Sequence, residues 1–302
     1  MKKLIGGGLA AALAGLMLAS LARAAPHAPK SGFKQFATPH HPTGEYTQFA
    51  DCPLNRATIS DCIYGVTNSG SIRFGQKTLL IVNPIIIRGG FEGAGEEIDF
   101  FGAEDGNTMS RSPQPVPGGL LGVTPPASWP NALKAKFKQL IRNGRTGMTA
   151  TAELAAPGTS ISLSTENSLF EEGTALGLPV KFKIDNQLLG SNCYIGSSSS
   201  PIQLDLTTGA TAPPPPNEPI HGLAGELTFN EAFTVITGIG QRLVNNSFAA
   251  PKARGCGGRY SRFIDPLVDS ILGTPSPAGR NAVIMEGTFQ DGQSSAVKES
   301  EE

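Results

Sequence analysis

The sequence predicts an all-β fold: an antiparallel β-sandwich or barrel-like core with one central helix and a short C-terminal helix. Two observations predict it. In Leu178–Asp185 (LPVKFKID), Val180, Phe182 and Ile184 alternate with Lys181, Lys183 and Asp185. That is the period of a strand with one apolar and one wet face. Ile202, Leu204 and Leu206 repeat it in PIQLDL. The composition points the same way. The chain holds 37 Gly and 24 Pro, and only 16% of its residues are charged, which suits short strands joined by many turns better than helices.

Residues 1–24 read as a secretory leader. Lys2 and Lys3 form the basic start, Leu4–Leu21 is apolar and small, and Ala22-Arg23-Ala24 fits a small-x-small cleavage box. No cysteine stands at the cut, so no lipid anchor is expected, and no transmembrane anchor is expected in the mature chain. Cleavage leaves about 278 residues, enough for a sizeable core. Residues 25–48 are polar and rich in Pro, His and Lys, and a flexible segment is expected there. His40 and His41 have no acidic or histidine partner at metal-binding spacing and read as an exposed loop.

A β-rich domain is expected over 49–291, with a proline-rich connection at 113–130 that could divide it into two subdomains. Ser71–Phe74 alternates. Leu79–Val82 and Ile85–Ile87 are continuous apolar runs, the pattern of strands buried on both faces, and Gly89-Gly90 ends the unit. Glu92, Glu96, Glu97, Asp99, Glu104 and Asp105 gather in an acidic, glycine-rich stretch. Its spacing is not that of an EF-hand, so a solvated loop is expected rather than a calcium site.

The clearest helix is 131–143. Pro130 precedes it, Gly144 stops it, and Leu133, Phe137, Leu140 and Ile141 share a face. Its lysines and arginines would allow contact with anionic lipid or cell-wall polymer. Its apolar stripe is of ordinary width and predicts packing on a sheet. Further strands are expected at 148–154, 160–163, 223–229, 233–237, 241–248 and 282–289. Pro213–Pro216 reads as a stiff loop across the sheet surface. Asp265-Pro266 would cap and start the second helix, with Gly273 as its stop. The tail, 292–302, is expected to be disordered.

Four cysteines in an exported chain predict two disulfides, with three pairings open. Cys52–Cys62 with Cys193–Cys256 is favoured, because the first closes a short loop. No Cys-x-x-Cys spacing supports a zinc site. No P-loop or dinucleotide glycine pattern is present, so no cofactor is expected. The net charge of −1 and the lack of a basic run argue against nucleic acid as a partner. The Asn245-Asn246-Ser247 sequon is discounted because the leader looks bacterial.

There is no Gly-x-Ser-x-Gly elbow. His221 is the one histidine inside the main domain and would need a nearby serine and acid. Glu153, Glu166, Glu171, Glu172, Asp185 and Asp205 are available to a two-carboxylate mechanism, but nothing pairs them. No catalytic residue is assigned.

Segments TATAELAAPGTSISL (149–163), NSLFEEGTALGLPVKFKIDNQLLGSNCYIGSSSSPIQLDLTTGATAPPPPNEPIHG (167–222), LVNNSFAAPKARGCGG (243–258) and LGTPSPAGRNAVIMEGTF (272–289) together resemble a family of uncharacterised exported proteins of actinobacteria. FADCPL, the Cys62-Ile63-Tyr64 run, IRFG and NPIIIRGGF add to the likeness. The resemblance implies secretion and supplies no catalytic residue. It adds support for the Cys193–Cys256 pair. The expected function is that of a non-enzymatic extracellular or cell-envelope protein, a structural element or a binder of an envelope component. A carrier of an apolar ligand such as a lipid is the second expectation, and a secreted hydrolase the third.

Overall fold

The computed structural model describes residues 40–94 and 97–301; the leader and its Ala22-Arg23-Ala24 box lie outside them. The chain first lays down β1 (Asp61–Phe74), β2 (Lys77–Leu80), β3 (Ile85–Ala94) and β4 (Glu97–Gly102). A middle stretch follows, with β5 (Pro113–Val116), α1 (Asn131–Arg142), β6 (Met148–Leu154), β7 (Ser162–Leu163), α2 (Thr165–Phe170), β8 (Leu176–Asp185), β9 (Tyr194–Ile195) and β10 (Ile202–Leu206). It ends with β11 (Glu226–Phe229), β12 (Val235–Asn245), β13 (Ala253–Arg254), α3 (Ser261–Leu272), β14 (Ala282–Gln293) and α4 (Ser294–Glu299).

Two antiparallel sheets pack together. One has the order β11-β12-β14-β1-β3-β4, with β2 beside β1; the other runs β13-β9-β8-β6-β5, with β7 and β10 also paired to β8. The first sheet joins both ends of the chain, because β1 pairs with β14 from Asp61–Gln293 to Arg73–Ala282. The second comes mostly from the middle. A bridge between Thr207 and Val244 links the two, with N–O distances of 3.0 and 2.9 Å. Residues 113–130 do not separate subdomains: β5 hydrogen-bonds to β6, and the described residues belong to one compact unit.

The alternation of LPVKFKID places Val180, Phe182 and Ile184 in the core. Phe182 meets Phe74 of the facing sheet edge-on at 4.8 Å, a favoured aromatic geometry. α1 buries Leu133, Phe137 and Leu140 while Ile141 stays partly exposed, and Phe137 stands edge-on to Trp129 at 5.8 Å.

Several expectations are corrected. β3 does not end at Gly89-Gly90, and the first part of the acidic stretch is not a loop, since β3 continues to Ala94 and pairs with β4; Glu104 and Asp105 lie in the turn that follows. A Cβ on Gly89 would lie 2.3 Å from the Phe101 carbonyl oxygen and 2.7 Å from the Phe100 ring. Glycine here permits close strand approach rather than ending the strand. β2 is buried on one face only, with Leu80 61% exposed. The runs expected at 233–237 and 241–248 form a single strand, β12, with a register shift between Ile239 and Gln241.

α3 begins at Ser261, not at Pro266, which lies inside it. Asp265 is therefore no cap. Its Oδ1 accepts the Cys256 N–H at 2.7 Å, and Asp269 one turn later accepts that of Ala253 at 2.7 Å. The tail also has structure. Val297 of α4 is buried with Phe49, Cys52, Leu54, Ile59, Cys62 and Val235 in a second core on the outer face of the first sheet. The 40–48 segment closes against it: Thr43 Oγ1 donates to the Ser300 carbonyl at 2.6 Å, and a 3₁₀ turn spans Gly44–Phe49.

Candidate functional site

The disulfides are Cys52–Cys62 and Cys193–Cys256. All four cysteines are buried. The first bond pins the outer core to β1, and the second ties the turn before β9 to the turn before α3.

The inward positions of β1 fill the sandwich unevenly. At one end Ile72 and Phe74 are large and buried. Beyond the irregularity between Thr67 and Ser69, the inward series runs Thr67, Gly65, Ile63. β14 matches it, with Gly287 opposite Thr67, Phe289 opposite Gly65 and Asp291 opposite Ile63. Thr67 meets a glycine and Gly65 brings no side chain of its own, and a cavity of about 150 Å³ remains between the sheets. A Cβ on Gly65 would have a single neighbour within 4 Å, the Ile87 carbonyl oxygen at 3.8 Å, so this position opens directly onto the space.

The walls are chiefly apolar. Ile87 and Phe100 stand on one side, Leu227, Ile236 and Leu243 on the other. Leu163, Leu169 and Leu176 form the roof. Leu169 is 46% exposed and marks where the cavity reaches the surface. The Ser164 hydroxyl accepts the Asn167 N–H at 3.1 Å, capping α2 and fixing the helix that carries Leu169. Ser168 and Gln241, also in the lining, satisfy each other at 2.9 Å.

One group in the wall is left without a partner. Asp291 Oδ1 is buried and makes no hydrogen bond. Burial pushes the Asp291 carboxyl up to about 7, and the negative charge of Asp61 adds to the shift. Asp61 lies two residues along β1 from Ile63, diagonal to Asp291. Its own carboxyl is raised by burial, against the hydrogen bond from Ser60. Asp61 does not line the cavity; Asp291 does.

The residues considered from sequence lie elsewhere. His221 is exposed, and its carbonyl, not its ring, accepts from Arg242 Nε at 3.0 Å. Glu153 pairs with Lys181 at 3.8 Å and Asp185 with Lys183 at 3.3 Å. Asp205 accepts from Gln203 at 2.9 Å, and Glu171 from the Ala224 N–H at 3.1 Å. Glu166 and Glu172 are exposed. Asp105 and Asp51 bind Arg88, and His40 bonds Glu301 at 3.1 Å with Glu104 at 3.7 Å. Among the described residues no three His, Cys, Asp or Glu side chains converge as metal ligands.

The strand expected at 282–289 stops short of Asp291 and so leaves it out. The signal was there: Met285, Gly287, Phe289 and Asp291 keep the period of two, which puts a carboxylate at an inward position.

No protein-family model matches the chain, and neither a curated protein nor a solved structure matches it.

Proposed function

We propose that this is an exported binding protein that holds a small apolar ligand between its two sheets. The observation that carries the reading is the apolar cavity between the two sheets, onto which Gly65 opens. Its volume of about 150 Å³ compares with an engineered apolar cavity of about that size in another protein that takes up benzene. A single ring or a short acyl segment fits inside, and a longer ligand would extend past Leu169. Two buried disulfides support a life outside the reducing cytoplasm, as do the leader and the resemblance to exported actinobacterial proteins. Among the described residues no helix is long and apolar enough to cross a membrane.

A hydrolase using Asp61 and Asp291 is less well supported. A two-carboxylate mechanism needs both groups at the substrate, and only Asp291 faces the cavity.

The test is calorimetric titration of the secreted protein with ethylbenzene. Saturable one-to-one binding is expected, and Gly65→Leu should abolish it while leaving the fold intact, because the added side chain would occupy the cavity. Failure of the wild type to bind, or equal binding by a folded Gly65→Leu variant, overturns the reading. Sequencing of the secreted material from its N-terminus should start at Ala25.

A further inference from the structure

We propose that the cavity selects an apolar amine, whose ammonium group donates to Asp291. This rests on the apolar-ligand reading above and names the chemistry of the ligand's polar end.

Three observations support it. First, Asp291 is a cavity wall residue whose Oδ1 is buried and without a hydrogen-bond partner. A buried acceptor left unsatisfied is costly, so a ligand donor placed there gains more than it would at a satisfied group. Second, among the described residues no lysine, arginine or histidine lines the cavity. The groups around Asp291 are Ile63 opposite on β1, Asp61 diagonal on β1 and Ile236 opposite on β12. Leu163, Thr165 and Leu169 line the same cavity. The charge that raises the Asp291 carboxyl further is that of a second carboxylate, Asp61. Two acids and no base disfavour a fatty-acid carboxylate and favour a cation. Third, the rest of the wall is apolar enough to take a ring or chain but offers it few polar contacts, so orientation falls to this one group.

Pairing requires Asp291 to be ionised. Its carboxyl titrates at about 7 in the free protein, so binding of an ammonium should strengthen as pH rises through that value. Binding of a neutral ligand should not depend on pH in this way.

The experiment compares benzylamine, its neutral isostere ethylbenzene, and phenylacetate by titration calorimetry on the full secreted chain. At about pH 8, benzylamine should bind about tenfold tighter than ethylbenzene or better, with phenylacetate weakest. Benzylamine affinity should rise about thirtyfold from about pH 5.5 to about pH 8, while that of ethylbenzene stays flat. Asp291→Asn should erase both the preference and the pH dependence while keeping ethylbenzene binding. Asp61→Asn should move the midpoint of the pH dependence downward, because it removes the neighbouring negative charge. Ethylbenzene binding as tightly as benzylamine in the wild type, or phenylacetate binding tighter than either, overturns the amine assignment and leaves the apolar-ligand reading standing. Binding of none of the three overturns that reading itself. The wild-type comparison decides the matter even where a variant fails to fold.

Discussion

Asp291 occupies a position that strand alternation reserves for an inward side chain, and its cost to the fold can be read from its titration. Its carboxyl is raised from 3.8 to about 7 in the folded chain. Between those values the folded state holds a proton that the unfolded state has lost, so stability falls as pH rises across the window. At about 1.36 kcal/mol per pH unit the ceiling on this loss is about 4 kcal/mol, less whatever Asp61 relieves by taking up a proton itself. Asp291→Asn removes the titration without changing the shape of the side chain. Urea unfolding should therefore show the variant close to wild type near pH 4 and a few kcal/mol more stable near pH 8. A variant equally or less stable at the higher pH would place Asp291 in solvent. Stability given up at a position that faces a cavity is what a binding site is expected to show. At this scale the sequence spoke clearly about the cysteines. It spoke less clearly about Asp291, because the inward series passes through Gly287, which reads as a turn residue until its pairing with Thr67 is known.

At the scale of elements, legibility followed the strength of the local pattern. LPVKFKID and PIQLDL carry their own alternation, and α1 carries a four-residue apolar stripe between Pro130 and Gly144. β1 shows its alternation only at SIRF. Its first part includes Gly65, Asn68, Ser69 and Gly70, residues poor in strand propensity. It is a strand because β14 pairs it along one side and β3 and β2 share the other. Tertiary pairing of this kind leaves little trace in local sequence. The same holds for the β3–β4 hairpin, where acidic and glycine residues look like a loop until Gly89 is seen to admit the neighbouring strand. α1 gives the prediction at this scale. Phe137 is 3% exposed and packs on Trp129, so Phe137→Ala should cost about 3–5 kcal/mol in chemical denaturation. If the variant unfolds like wild type and instead loses binding to anionic liposomes, the lysine-rich helix faces a membrane and not the core.

At the scale of the molecule, the order of strands changes what the Cys193–Cys256 bond is expected to do. Read along the chain, everything after Gly255 is a short helix and one strand, a segment poor in apolar residues that would lean on the disulfide. Read in space, β14 lies between β12 and β1 and is hydrogen-bonded to both for most of its length. It is held by the first sheet and owes little to the bond. The elements that do depend on the bond are small: β9 and β13 have two residues each and pair with each other, and α3 grips 253–256 through Asp265 and Asp269. The bond spans a sequence separation of 63 residues, for which loop-closure entropy gives about 4 kcal/mol, with the mechanism model-dependent. Replacing both cysteines by serine should lower global stability by that order. In hydrogen exchange the loss should appear first at β9, β13 and the start of α3, with β14 opening only in global unfolding. Exchange that quickens evenly from Gly255 to the end of β14 would show instead that the disulfide, and not strand pairing, fastens the C-terminal region to the sandwich.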